Sequence, residues 1–486
     1  MNKYDIIIIG GGVVGTAISR ELSSYKLKIA LLEKEEELAF GVSKSNSGII
    51  HPGTQNRPGS LKGRLCLQGN ALIREISRDL GVEFKEIGEL IVVFSQEEVS
   101  RLLQLKQEAE ILGVSGLEVV DQAWLKEHEP NLSREIVAAL YAPTAGIISP
   151  YRLAYALSEN AVLNGLEIYT QSLVQNILVM TPVRHFGSTS LFEITTERNT
   201  FQTNYIINAA GLYADEISQM VGINNFQIRP RKGEEFLLDK KQQDLTNHLI
   251  FPLPTKISKG VIVIKTFAGN PMIGPTAEDV ENKEDLSTSE QGLEKVIRMA
   301  QRMVPSIDKK DIIAYFAGLR PVADDDFIIR CEDKVPGFVN VAGIQSPGLT
   351  AAPAIAQLVG RILKQNGLVM EKKKDFYRQR KKTVHLSNLA FSQAKELIQT
   401  DRSFGDIVCR CEMVSAGEIR EAIRQGAVTL DGIKFRTQAQ AGRCHGGFCT
   451  TRIMKILAQE TNRPLTAITK RGRGSEIVKE DRADDD

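Results

Sequence analysis

The feature that most restricts what this chain can fold into lies in its first 33 residues. Tyr4–Ile9 is an apolar run, Gly10-Gly11-Gly12-Val13-Val14-Gly15 follows without a break, a helical pattern continues to about Ser24, and Lys28–Leu32 is apolar again. Strand, glycine loop, helix and strand make a βαβ opening, which predicts a parallel sheet. The glycines fit G-x-G-x-x-G, allowing a tight turn and close approach of the backbone to a pyrophosphate that faces the helix N-terminus. Glu33 ends the second strand, 18 residues beyond Gly15, where a carboxylate can accept hydrogen bonds from ribose hydroxyls. Gly10, Gly12, Val13, Val14, Gly15 and Glu33 are therefore the first binding candidates, for a dinucleotide.

The rest of the chain reads as ordinary globular protein. Its 486 residues are 42% hydrophobic and 25% charged, with 61 basic and 60 acidic side chains giving a net +1. That balance argues against a nucleic-acid or membrane-surface partner. No apolar stretch approaches the ~18 residues of a spanning helix. The apolar run at Asp5–Ile9 enters the glycine loop directly instead of ending in a signal-peptide cleavage site, so a cytoplasmic location is expected. Helices are expected at about Leu61–Leu80 and Glu97–Leu112, and strands at Glu89–Phe94, Tyr205–Asn208 and Gly337–Ala342. Alternating strands and turns over 220–320, such as Glu235–Leu238 and Val261–Lys265, suggest a second sheet. The charged run 371–382 reads as a solvated linker or connecting helix.

One dinucleotide site is expected, because no second glycine fingerprint follows a strand. Three further segments bear on which dinucleotide: Ser45-Asn46-Ser47-Gly48-Ile49-Ile50-His51, Asn208-Ala209-Ala210-Gly211-Leu212-Tyr213-Ala214-Asp215, and Ala342-Gly343-Ile344-Gln345-Ser346-Pro347-Gly348-Leu349-Thr350. With the glycine loop they resemble the successive FAD-contact segments of the D-amino-acid-oxidase-like superfamily, which includes glycerol-3-phosphate and L-2-hydroxyglutarate dehydrogenases. The resemblance covers residues 1 to about 365. It implies FAD as cofactor, with Ser45, Asn46, Ser47, Gly48, Ala210, Gly211, Gly343, Pro347, Gly348, Leu349 and Thr350 as further binding residues. It also implies that the last segment turns a helix N-terminus toward the flavin ring, where its dipole favours negative charge.

Six cysteines are too few for a disulfide framework. Cys66 and Cys331 stand alone and read as small core residues, whereas Cys409, Cys411, Cys444 and Cys449 crowd together. Four thiolates can hold tetrahedral zinc or an iron–sulfur cluster, and a Cys-x-Cys pair is the less typical for zinc. Cys409-Arg410-Cys411, then Gly442-Arg443-Cys444 and four residues to Cys449, with a helix near Ser415–Gln425 between, resembles the bacterioferritin-associated-ferredoxin type of domain. That resemblance implies a 2Fe–2S cluster held by all four, although founding members have two residues between the last pair. The same order of domains occurs in the A subunit of anaerobic glycerol-3-phosphate dehydrogenase.

Oxidising an alcohol beside a flavin requires a base, a positioned carbon and cations for an anionic substrate. Arg320, in Gly318-Leu319-Arg320-Pro321, resembles the arginine that meets substrate in glycerol-3-phosphate dehydrogenases, and a guanidinium suits phosphate or carboxylate. His51 is the candidate base; Lys256 and Lys259 are the next cationic candidates, with Lys256 in the catalytic set, and Arg231 or Lys232 could also line the pocket. The fold expected is α/β: a Rossmann-like FAD-binding domain interleaved with a mixed-sheet substrate domain (1–365), a linker (366–400), and a small helical 2Fe–2S domain with its tail (401–486). The function expected is FAD-dependent oxidation of sn-glycerol 3-phosphate, a small anionic hydroxy-substrate. The cluster would pass electrons to a partner flavoprotein or electron-acceptor subunit. The rivals are a dehydrogenase of L-2-hydroxyglutarate, another 2-hydroxy acid or an amino acid, and a non-catalytic electron-transfer subunit.

Overall fold

A computed structural model describes residues 2–180, 190–255 and 258–479. The chain divides into two compact units: Met1–Leu32 with Gly41–Ile168 and Val174–Arg380, and Glu33–Phe40 with Tyr169–Leu173 and Lys381–Asp486.

The first unit contains two large sheets. In one, the strands Ile29–Leu32, Asn2–Ile9, Thr200–Asn208 and Phe338–Ala342 run parallel in that spatial order. Ile6 to Ile9 and Ile29 to Leu32 are all buried, as expected where helices cover both faces of a parallel sheet. Helix Val13–Leu22 packs against helices Pro150–Leu163 and Gly348–Gln365 through small residues such as Ala17 and Ala352. Helix Leu61–Leu80 also lies on Gly348–Gln365, and the two approach so closely at Gly69 that a Cβ there would overlap the Thr350 carbonyl.

The second sheet is mixed, and the chain enters it twice. The expected runs Glu235–Leu238 and Val261–Lys265 fall in strands Arg229–Leu238 and Ile262–Lys265, which are joined by Leu249–Pro252, Pro271–Gly274 and Ile312–Val322 and by Glu89–Val93, Glu118–Asp121 and Ala138–Ala142. Placing this sheet at 220–320 therefore missed an arm of about fifty residues. That arm is tied in by the parallel pairing of Glu89–Val93 with Leu249–Pro252, a contact between distant stretches with no local signature. One face packs on helix Glu290–Met303 through Phe236, Ile250, Val263 and Ile273. The other carries Ile91, Phe251, Ile262 and Met272, with Leu102 and Ala109 of helix Gln96–Leu112.

Segment 371–380, expected as solvated linker or helix, is mostly exposed and irregular rather than helical, and it is tied down at several points. Its backbone bridges Tyr25 at Lys372, and Arg378 and Arg380 pair with Asp79 and Glu159.

In the second unit, Ile407–Cys409 and Val414–Ser415 form a short ladder beside helices Ala416–Arg424, Leu430–Thr437 and Thr450–Thr461. Ser415 opens the first of these with a reciprocal capping box to Glu418. Among the described residues, no helix is long and apolar enough to cross a membrane.

Candidate active site

At the glycine loop the backbone has no room for side chains. Gly10 adopts φ +109°, and a Cβ on it would overlap the Ala209 carbonyl; a Cβ on Gly15 would overlap the Gly10 carbonyl. Gly12 caps helix Val13–Leu22 without a side chain, and the first turn holds no acidic residue. Pro347 begins helix Gly348–Gln365 in the same way. Helices Leu61–Leu80, Gln96–Leu112, Pro150–Leu163 and Glu290–Met303 each have a serine hydroxyl on their first amides. Both N-termini that the sequence assigned to pyrophosphate and flavin lack a capping side chain on the residue before the helix, and open backbone donors suit an anion. Val13 differs in detail, because its N–H donates to Ser43 Oγ at 3.0 Å.

The remaining cofactor candidates follow from that frame. Glu33 directly follows Leu32 and is buried, its Oε1 accepting the Glu35 N–H. Ser45 lies against Gly318, where a Cβ would come within 2.6 Å of its Oγ. Asn46 Oδ1 takes the Gly48 N–H, and Gly48 needs φ +82° beside the Ile148 carbonyl. Ala210 and Gly211 form the turn after Thr200–Asn208, fixed by Asn208 to the Ala214 carbonyl and to Asn340. Gly343, at φ +67°, leaves the parallel sheet toward Pro347, Gly348, Leu349 and Thr350. These residues fit a dinucleotide by their close backbone approach and open helix ends.

Thr350 links this frame to the candidate base. The His51 N–H donates to Thr350 Oγ1 at 2.9 Å, which sets the imidazole beside three polar groups. Lys259 Nζ is 3.4 Å from each ring nitrogen, Ser346 Oγ is 3.3 Å from Nε2, and Glu89 Oε2 is 3.9 Å from Nδ1. Glu89 is fully buried, with Oε1 bound by the Thr54 hydroxyl and Oε2 without a hydrogen bond. Burial and then the Lys259 ammonium lower His51 to about 4, against the opposing pull of Glu89, so the ring is neutral at physiological pH. Lys256 lies outside the described residues. Lys259, one of the two lysines that the sequence offered as next cationic candidates, is the cation at His51. Glu89 was missed altogether.

Strand alternation shows what shares this face. Ile91 and Val93 face the second cluster of the mixed sheet, so Glu89 does too; Phe251 is there, its ring 6.1 Å from that of His51. Leu237 and Phe316 also face it, which carries Gly233, Glu235, Gly318 and Arg320 to the same side through the register Glu235↔Phe316 and Arg231↔Arg320. Arg320 lies half-buried over Gly233, where a Cβ would overlap its Nη2, and donates from Nη2 to the Thr276 carbonyl at 3.2 Å. Two alternative cations are otherwise engaged. Lys232 points to the opposite face and donates to Asp285 at 2.8 Å, and Arg231 is paired with Asp279.

In the second unit, Cys409 and Cys449 are buried neighbours, and Cys411 Sγ lies 3.6 Å from Cys444 Sγ. Two thiolates on one tetrahedral ion with ~2.3 Å bonds stand at about that separation. A 2Fe–2S cluster takes two sulfurs on each iron, and these four thiols are the ones that would hold it. Gly442 leaves the space, since a Cβ there would overlap Cys411 Cβ.

Two family models match different stretches of the chain. The family described as FAD dependent oxidoreductase matches residues 5–362, and the BFD-like 2Fe-2S binding domain matches 407–459. A glycerol 3-phosphate dehydrogenase of Caloramator mitchellensis is 42% identical over 98% of both chains. An L-2-hydroxyglutarate dehydrogenase of Caenorhabditis elegans is 30% identical over 74% of this chain and 92% of its own. Among solved structures, the FAD-bound L-alpha-glycerophosphate oxidase of Mycoplasma pneumoniae superposes with a TM-score of 0.73 at 32% identity, covering 78% of this chain and 99% of that one. The chain belongs to the FAD dependent oxidoreductase family, with FAD and a 2Fe–2S cluster as its cofactors.

Proposed function

We propose that this enzyme oxidises sn-glycerol 3-phosphate to dihydroxyacetone phosphate and delivers the electrons, through the cluster, to a partner flavoprotein or other electron-acceptor subunit. The carrying observation is a neutral, buried His51 held against Lys259 on the sheet face that also bears Arg320. The relative named for this reaction aligns across both the flavin and cysteine regions.

FAD, when bound, supplies the two-electron acceptor. The chain supplies the rest. Glu89 on the Nδ1 side favours the tautomer with its proton there, leaving Nε2 to take the proton of the C2 hydroxyl. Lys259 steadies the oxygen as that proton leaves, and Arg320 receives the phosphate. The glycine loop, Glu33, the 45–48 and 210–211 turns and the 343–350 turn hold the dinucleotide, while Cys409, Cys411, Cys444 and Cys449 hold the cluster. Residues 1–365 thus carry the chemistry and 401–486 the electron exit.

Anaerobic mixing with substrate tests this. The flavin absorbance of the holoenzyme should bleach with sn-glycerol 3-phosphate, and Arg320→Ala should lower kcat/KM about 10- to 100-fold, the worth of a charge-assisted contact. Fast bleaching by L-2-hydroxyglutarate alone would establish the 2-hydroxy-acid alternative. No bleaching by any hydroxy acid or amino acid, with electron transfer indifferent to Arg320→Ala, would establish a non-catalytic subunit.

A further inference from the structure

Glu235 has no role in the chemistry above, yet it is buried on the same sheet face as Arg320. It is 6% exposed, and its Oε2 lies away from solvent without a hydrogen bond. It is two residues from Gly233, over which the Arg320 guanidinium sits, and it interacts electrostatically with that group. Its backbone packs against Gly274, where a Cβ would come within 2.9 Å of Glu235 Cγ. Glu234 points the other way, its carboxylate taken by Ser289 at the start of helix Glu290–Met303. Of two adjacent acids, one is a structural acceptor and the other is left with an acceptor oxygen and no donor. Such an atom is costly unless something bound there completes it.

We infer that Glu235 determines specificity, its Oε2 accepting a hydrogen bond from the neutral hydroxymethyl group of the substrate and repelling a carboxylate at that position. This rests on the substrate reading above, and the substrate's own inventory supports it. Glycerol 3-phosphate has two hydroxyl donors, and the C2 hydroxyl gives its proton to His51. The phosphate is met by Arg320 and would be repelled by a neighbouring carboxylate. Only the hydroxymethyl group remains to satisfy Oε2. A 2-hydroxy acid carries a carboxylate there, so one side chain both welcomes one class and rejects the other.

The probe is 3-phosphoglycerate of matching configuration, in which a carboxylate replaces the hydroxymethyl group and the phosphate is retained. Burial raises Glu235 to about 7 against the pull of Arg320. The comparison is therefore made in mildly alkaline buffer, where the carboxyl is ionised. In Glu235→Gln holoenzyme, the KM for glycerol 3-phosphate should rise while the inhibition constant for 3-phosphoglycerate falls, moving their ratio at least ~10-fold. Glu235→Asp, which keeps the charge, should preserve most of the discrimination, and flavin content reports on folding in both variants. An unchanged ratio in Glu235→Gln, with both ligands weakened alike, would reduce Glu235 to a structural partner of Arg320. A wild-type enzyme that glycerol 3-phosphate does not bleach would instead remove the substrate reading itself, which the first measurement shows before any variant is made.

Discussion

His51 is pulled in opposite directions by two charged neighbours, and the balance has a measurable sign. Burial and Lys259 depress its pKa from 6.5 to about 4, while Glu89 raises it. A histidine held neutral in the fold contributes stability that is fully present above pH 6.5 and is lost as pH falls toward about 4, because the unfolded chain takes the proton first. Catalysis has the same sign, since protonation removes the lone pair on Nε2. Lys259→Met removes the ammonium but leaves the burial, so the acid limb of flavin reduction should move to higher pH. The measurement is the rate of anaerobic bleaching against pH in both proteins. An acid limb that stays in place would mean that Lys259 does not set the charge on His51. The sequence could name His51 from its motif but could not weigh this balance, because Glu89 and Lys259 reach it from 38 and 208 residues away.

At the scale of elements, the helix pair Leu61–Leu80 and Gly348–Gln365 connects packing to chemistry. Gly69 permits their contact, and Thr350, the residue it touches, holds the His51 backbone. Gly69→Ala adds one methyl group against a carbonyl rather than a yielding side chain. It should cost about 1–3 kcal/mol and lower the melting temperature, with a loss of activity beyond the loss of flavin. Differential scanning calorimetry and flavin content separate the two effects. Local elements of this kind were largely legible: Leu61–Leu80 lies where the sequence placed a helix, and the Gly10–Gly15 loop opens Val13–Leu22. What was not legible came from pairing at a distance. Nothing in Glu89–Val93 says that it will lie parallel to Leu249–Pro252, so Glu89 read as a charge at a strand end. Glu235–Leu238 reads as a strand from the sequence, but only the structure, with its register to Ile312–Val322, shows that Glu234 and Glu235 are both buried.

The cysteine unit as a whole is not made from one continuous stretch of chain. It includes Glu33–Phe40, and Glu37 of that segment is fixed at its centre. The Glu37 carboxylate accepts the amides of Val428 and Thr429 and the Thr429 hydroxyl, and pairs with Arg436 Nη1 at 2.9 Å. It lies so close to helix Leu430–Thr437 that a Cβ on Gly432 would overlap it. Glu37 and Arg436 are both buried, so removing one partner strands a charge instead of merely deleting a contact. Glu37→Ala should therefore destabilise this unit by roughly 3–5 kcal/mol. Two of the four thiols belong to the same packed core, where Cys409 and Cys449 sit with Leu430 and Ile433, so the variant should also hold less iron. Iron content and the visible absorbance of the full chain, made under iron-replete anaerobic conditions, measure this. A fragment of residues 401–486 should show the same deficit for the same reason, because it retains all four clustered cysteines but lacks Glu37. A fragment that bound iron as tightly as the intact protein would show that the N-terminal segment is dispensable to the cluster.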